Sequence, residues 1–261
     1  MTTSTDNQIA DIRAFWKSRS SLGATACTQD VGLKQLEIEA IAAHVQDGQR
    51  VLDVGCGNGI TAMALARRFS VDLTAIDYAE ELICSAQDAL ELRQAELKGS
   101  VRFCVGDLRC LEGLEGTFDR IYTERALINL PDWDSQQEAI RGILERLSSG
   151  GLYIMCEHSQ DGLERLNQLR FRAGLAAITP PWHNRYLREN EVEAARFEGA
   201  KLEALLDFSS TYYFLSRVVN AWLSAQEGRE PAYDAPVNQL ALQLPSFGDV
   251  GQGKVWLWRK S

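Results

Sequence analysis

The chain has 261 residues, 45% of them hydrophobic and 24% charged, proportions that suit one large globular unit and exclude a wholly disordered or collagen-like chain. Twenty-seven lysines and arginines against 36 aspartates and glutamates give a formal charge of −9, which disfavours broad binding to nucleic-acid backbones.

Ile9, Ile12, Phe15 and Trp16 recur at helical spacing and predict a short N-terminal helix; Leu33, Leu36, Ile41 and Val45 predict a second over 31–46. Short apolar runs then alternate with helical stretches. Strands are expected at 50–55, 71–77, 101–107, 118–124 and 151–157, with helices near 59–69, 79–97 and 135–147. Short strands with uncharged centres, separated by helices, indicate a parallel sheet buried on both faces and doubly wound by right-handed crossovers. After residue 157 the alternation breaks. Residues 161–198 read as mainly helical around Pro180-Pro181, followed by a strand at 201–208, a helical run at 211–225 and a last strand at 255–260. The proline- and glycine-rich stretch 227–253 offers one short strand around Leu240 to Leu244.

No apolar run reaches the roughly 18 residues of a membrane span, and the N-terminus lacks the basic-then-apolar order of a signal peptide. A cytoplasmic protein with no membrane partner is expected. The six cysteines (27, 56, 84, 104, 110 and 156) form no C-x-x-C pair and read as reduced, small packed side chains; with three histidines, no metal site is expected.

Residues 51–60, VLDVGCGNGI, form a glycine-rich turn from strand to helix, the place where an open α/β sheet binds its ligand. A dinucleotide fingerprint starting at Gly55 needs glycine at 60, which is Ile, and the Lys-Ser or Lys-Thr of a phosphate loop is missing. The acid at the strand end, Asp53, suits a cation better than a pyrophosphate. Asp53-Val-Gly55-Cys56-Gly57-Asn-Gly59 resembles the first motif of the class I S-adenosylmethionine-dependent methyltransferases.

That resemblance covers residues 45–160 by motif and 200–261 by the order of elements only. It implies a Rossmann-like α/β fold: a doubly wound seven-stranded, mostly parallel sheet whose last strand is antiparallel and inserted beside the sixth. A helical insertion follows the fifth strand. The expected organisation is one domain over 1–261, with a helical cover (1–46), a core (47–160 and 199–261) and a substrate-shaping insertion (161–198). It implies S-adenosylmethionine as cofactor, touched by Asp53, Gly55, Cys56, Gly57 and Glu124. Asp77 would accept the ribose hydroxyls, Tyr78 would pack on adenine or ribose, Asp107 would accept from the adenine amino group, and Leu108 would offer its N–H to the ring.

For the chemistry, Glu157 and His158 end the fifth strand at the same rim, and a histidine there is placed for a general base, which Glu157 orients or replaces; a solvated loop histidine is the other reading. Glu124 is a base or a cofactor contact and Arg125 a grip on an anion, unless the two form a surface salt bridge. Trp182, His183, Asn184, Arg185 and Tyr186 concentrate aromatic and hydrogen-bonding groups after the Pro-Pro turn, with His183 a second candidate base. Tyr213, on a later helix, joins the substrate contacts. From Gly162 to Arg188 there are five arginines and one acid, a local +4 that either grips phosphate or carboxylate or pairs with the acids at 189, 191 and 193. The expected activity is methyl transfer to a small-molecule acceptor, on oxygen of a sugar-like or anionic metabolite. A methyltransferase for tRNA or a protein, or a non-catalytic cofactor-binding subunit, are the alternatives.

Overall fold

The computed structural model describes residues 4–19 and 28–261, so Cys27 lies outside the described residues. Seven strands form one sheet: β1 (Arg50–Val54), β2 (Asp72–Asp77), β3 (Ser100–Val105), β4 (Phe118–Glu124), β5 (Leu147–His158), β6 (Ala200–Leu206) and β7 (Gly253–Lys260). Their order is β3-β2-β1-β4-β5-β7-β6, with β7 antiparallel to both its neighbours and the other pairs parallel. The fold class is the expected one.

Alternation along the inner strands divides the core in two. Leu52, Val54, Tyr153, Met155, Trp256 and Trp258 face one layer, which α5 (Trp133–Glu145) covers with Ile140 and Ile143. Val51, Tyr122, Ile154, Val255 and Leu257 face the other, covered by α2 (Val31–Ala42) and α3 (Ile60–Arg68) through Ile41 and Leu65. On the same outer layer α4 (Glu80–Arg93) packs against β3, while α1 (Ser4–Arg19) lies across α4. Asp30 and Asp132 cap α2 and α5, each accepting a backbone N–H three residues on.

Two stretches differ from expectation. Between α6 (Gln160–Arg172) and α7 (Glu189–Ala194), residues 173–188 are not helical. There the Asn167 side chain both accepts from the Ile178 N–H (2.8 Å) and donates to its carbonyl (2.9 Å), satisfying backbone that leaves the helix. The strand expected around Leu240 to Leu244 is replaced by a short helix, α10 (Pro236–Ala241). Proline presets its first turn, and the Asn238 side chain ties it to the carbonyls of Ala232 and Tyr233. The helical run over 210–226 is present as α8 (Ser210–Phe214), a π-helical turn (Leu215–Val219) and α9 (Asn220–Gln226). No described helix is long and apolar enough to cross a membrane.

Candidate active site

A cavity of about 410 Å³ opens beyond the carboxyl ends of β1, β2, β4 and β5, where an open α/β sheet receives ligands. Its far wall comes from α1 (Phe15, Trp16, Arg19), residues 28–34, the stretch 181–186 and the helical run with Tyr213 and Arg217.

The glycine loop shapes one end. Gly55 has φ +83° and a Cβ there would lie 2.5 Å from that of Ala126; at Gly59, φ +75°, it would lie 2.4 Å from Phe103. Only glycine fits either position. The Gly57 and Ala79 N–H groups both donate to Asp77 at 2.9 Å, so this carboxylate braces the loop while lining the cavity. Asp53 is buried, accepts from the Tyr122 hydroxyl at 2.7 Å, and burial pushes its carboxyl up to about 8. A bound cation would offset that desolvation cost, so a cavity end carrying Asp53 and Asp77 fits a positively charged nucleoside. Cys56, Tyr78 and Leu108 also line it.

The middle of the cavity carries buried charges in pairs. Glu124 accepts from Lys34 Nζ (2.6 Å) and the Thr61 hydroxyl (2.5 Å). Burial would raise its carboxyl, but Lys34 and Arg125 prevail and bring it down to about 2. Arg125 reaches Glu37 at 3.0 Å and Glu124 at 3.6 Å, so the salt-bridge reading of 124–125 holds, though inside the protein rather than on its surface. Arg125 also has φ +54°, held by its N–H on the Cys156 carbonyl (2.9 Å). A non-glycine residue in that region marks local strain of the kind found at functional sites.

The other end is aromatic. His158 is 6% exposed, edge-on to Tyr186 at 4.9 Å, and neither ring nitrogen has a hydrogen-bond partner. Burial lowers its pKa, as do Arg125 and Arg217, so the ring is neutral at pH 7. The Tyr213 hydroxyl is likewise buried without a partner, whereas the Tyr186 hydroxyl accepts from Gln252 Nε2 at 3.2 Å. His183 stacks on Phe15 at 4.2 Å, and Trp16 donates to Asn129 Oδ1 at 2.8 Å. Burial lowers the His183 pKa too. Asn184 lines this end.

Several sequence expectations require correction. Glu157 is no base: it is 1% exposed, and its carboxylate accepts from the Ala126, Leu127 and Ile128 N–H groups at 3.1, 3.0 and 3.4 Å. Side chains alternate along β5, so Glu157 and His158 point to opposite faces. Arg185 turns from the cavity to Gln136 (2.6 Å) and Glu191 (2.7 Å). Trp182 is 60% exposed and packs edge-on to Phe15 and His183 rather than forming wall. Asp107 is held by Arg109 (2.7 Å) and by Arg13, while its neighbours Gly106 and Leu108 are the residues on the cavity. In the +4 stretch the pairing alternative holds for three arginines: Arg165 meets Glu189 and Asp249, Arg185 meets Glu191, and Arg188 meets Asp161 and Glu164.

The sequence reading missed Lys34, Glu37, Thr61, Asp30, Asn129 and Gln252. Lys34 and Glu37 carried a faint signal, as charges bordering the apolar face of α2. Asp30 caps α2 while accepting from Tyr212 (2.5 Å) and Arg217, which no local pattern shows.

Residues 51–151 match the family model described as a methyltransferase domain. Magnesium-protoporphyrin O-methyltransferase of Rhodobacter capsulatus is 42% identical over 81 residues, 31% of this chain and 34% of that protein. Ubiquinone biosynthesis O-methyltransferase of Xanthomonas campestris is 34% identical over 125 residues, 47% of this chain and 49% of that protein. The matches thus span half or less of these curated relatives. Among solved structures, magnesium protoporphyrin IX methyltransferase of Synechocystis, with bound S-adenosylmethionine, aligns over 100% of both chains with a TM-score of 0.58 at 13% identity, a likeness of fold. Residues 51–151 thus form a methyltransferase domain, on a chain whose fold as a whole is like that of a methyltransferase of known structure.

Proposed function

We propose that the protein methylates a hydroxyl oxygen of a small-molecule acceptor, with His158 taking the proton. The observation that carries this reading is a buried neutral imidazole, without a partner at either nitrogen, lining the same cavity as the glycine loop. S-adenosylmethionine, when bound, supplies an electrophilic methyl group on a positively charged sulfur. Around it, Asp53 faces the cationic end, Asp77 offers carboxylate oxygens to the ribose hydroxyls, and Tyr78 and Leu108 flank the adenine. Cys56, Gly55 and Gly57 supply close backbone, and Glu124 holds Lys34 and Thr61 in place.

At the acceptor end, Tyr186 fixes the His158 ring edge-on, and Arg125 and Arg217 disfavour its charged form, so it waits as a base. Glu157 acts at one remove by fixing the 126–128 backbone beside the cavity. His183, Asn184 and Tyr213 complete the wall. An anionic acceptor loses its main support, because Arg165, Arg185 and Arg188 are committed to carboxylates. We further propose a cytoplasmic setting and the division into cover, core and insertion given above.

Calorimetry with S-adenosylhomocysteine at up to about 1 mM tests the cofactor half, and the absence of binding by folded protein refutes it. Transfer of labelled methyl from S-adenosylmethionine into small-molecule extracts tests the rest. His158→Ala is expected to lower turnover about 100-fold or more while S-adenosylhomocysteine binding persists. A label found only in tRNA or protein, or in nothing, rejects the small-molecule reading.

A further inference from the structure

Beyond the reaction type, the cavity wall restricts the acceptor's chemistry. Its charged side chains are committed: Lys34 to Glu124, Arg125 to Glu37, Arg217 to Asp30, while Arg19 lies over the Phe15 ring at 5.7 Å. Neutral polar atoms buried along it without partners include both His158 nitrogens, His183 Nδ1, the Tyr213 hydroxyl, Gln252 Oε1 and Asn184 Oδ1. Buried polar groups in folded proteins are almost always paired, so this set marks where a ligand's own groups belong. Two of these six, the amide oxygens, only accept, and an ionised carboxylate gives them nothing.

The remaining surface is aromatic. Tyr186 lies edge-on to His158, Tyr213 lines the same cavity, Phe15 and His183 form a stacked pair on its wall, and Tyr233 adds a ring beyond Arg217, 5.0 Å from the guanidinium. Such walls favour a flat apolar body over a flexible chain.

We propose that the acceptor is an uncharged aromatic ring bearing at least two hydroxyl groups, one presented to His158 and another to the Gln252 or Asn184 amide oxygen; this rests on the methyl-transfer reading above. In the reaction the O–H bond of the first hydroxyl breaks as an O–CH3 bond forms, the proton passes to His158, and the methyl–sulfur electron pair stays on sulfur. The base fits that acceptor. A ring flanked by Arg125 and Arg217 is a weak base, suited to a phenol near pKa 10 more than to an aliphatic alcohol near that of water, about 16.

The test is calorimetric titration of the protein saturated with S-adenosylhomocysteine, using catechol, methyl glucoside, benzoate and inorganic phosphate in turn. Catechol is expected to bind at least tenfold more tightly than the other three, and Tyr213→Phe to weaken it about three- to tenfold with an unchanged melting temperature. Binding of benzoate, phosphate or the glucoside as tight as catechol's overturns the proposal, and so does no catechol binding to the saturated protein. Failure of S-adenosylhomocysteine itself to bind overturns the methyl-transfer reading first, and this proposal with it.

Discussion

Asp53 and Glu157 are both buried carboxyls, and both yield pH predictions. Asp53 titrates at about 8 in the free protein because burial disfavours its charge. A cationic ligand favours the ionised form, so binding below pH 8 releases a proton from this residue. Cofactor affinity is therefore expected to rise between pH 6 and 7.5, by up to about tenfold per unit, with a proton release visible as buffer-dependent heat. Asp53→Asn should abolish the pH slope. Burial raises Glu157 to about 7 from 4.5, so between those values the folded protein holds more protons than the unfolded chain and loses stability as pH rises. Glu157→Gln carries no charge, so its stability relative to the parent is expected to improve from pH 5 to pH 8, by up to about 3 kcal/mol in denaturant titrations. A difference that stays flat with pH would show that the three backbone donors fully compensate the buried charge. The same two residues show what a sequence discloses. Asp53 was legible because a strand-end acid before a glycine turn is a local pattern. Glu157 is less legible, because strand alternation turns it away from His158 onto the 126–128 backbone.

At the level of elements, strands and crossing helices were legible from short-range periodicity, and the glycine loop from turn chemistry. The joints between elements were not. Lys34 meets Glu124 across 90 residues of chain, and Arg217 meets Asp30 across 187, and nothing in either local sequence names the partner. The arginine-rich stretch was legible in part: Glu189 and Glu191 follow it closely in sequence and answer Arg165 and Arg185, whereas Asp249, the other partner of Arg165, lies 84 residues away. Helix α1 illustrates how such joints act. It is fixed over α4 by Lys17 on Glu81 (2.8 Å) and by Arg13 on Asp107, and it carries Phe15 onto His183. Phe15→Ala is expected to raise the acceptor KM about tenfold while leaving the cofactor dissociation constant within about twofold. Equal loss of both would place Phe15 in a general support of the fold instead.

Across the whole molecule, the −9 charge is not arranged as one field with a basic mouth. Acids at the sheet's carboxyl edge, Asp53 and Asp77, line one end of the cavity, and neutral rings line the other. Topology assigns these two ends to different parts of the chain. The glycine loop, Asp77 and Glu124 all lie before residue 125, whereas His158 is seated opposite Gly253 in the β5–β7 register and Gln252 immediately precedes that strand. Since β7 enters between β5 and β6 after both in sequence, it leaves the ribosome last of these seven strands. During synthesis the nucleoside half can be assembled while β5 still has an open edge beside it. In the proposed reading the acceptor half forms only once β7 has closed that edge, so chains interrupted before Gly253 would lack it.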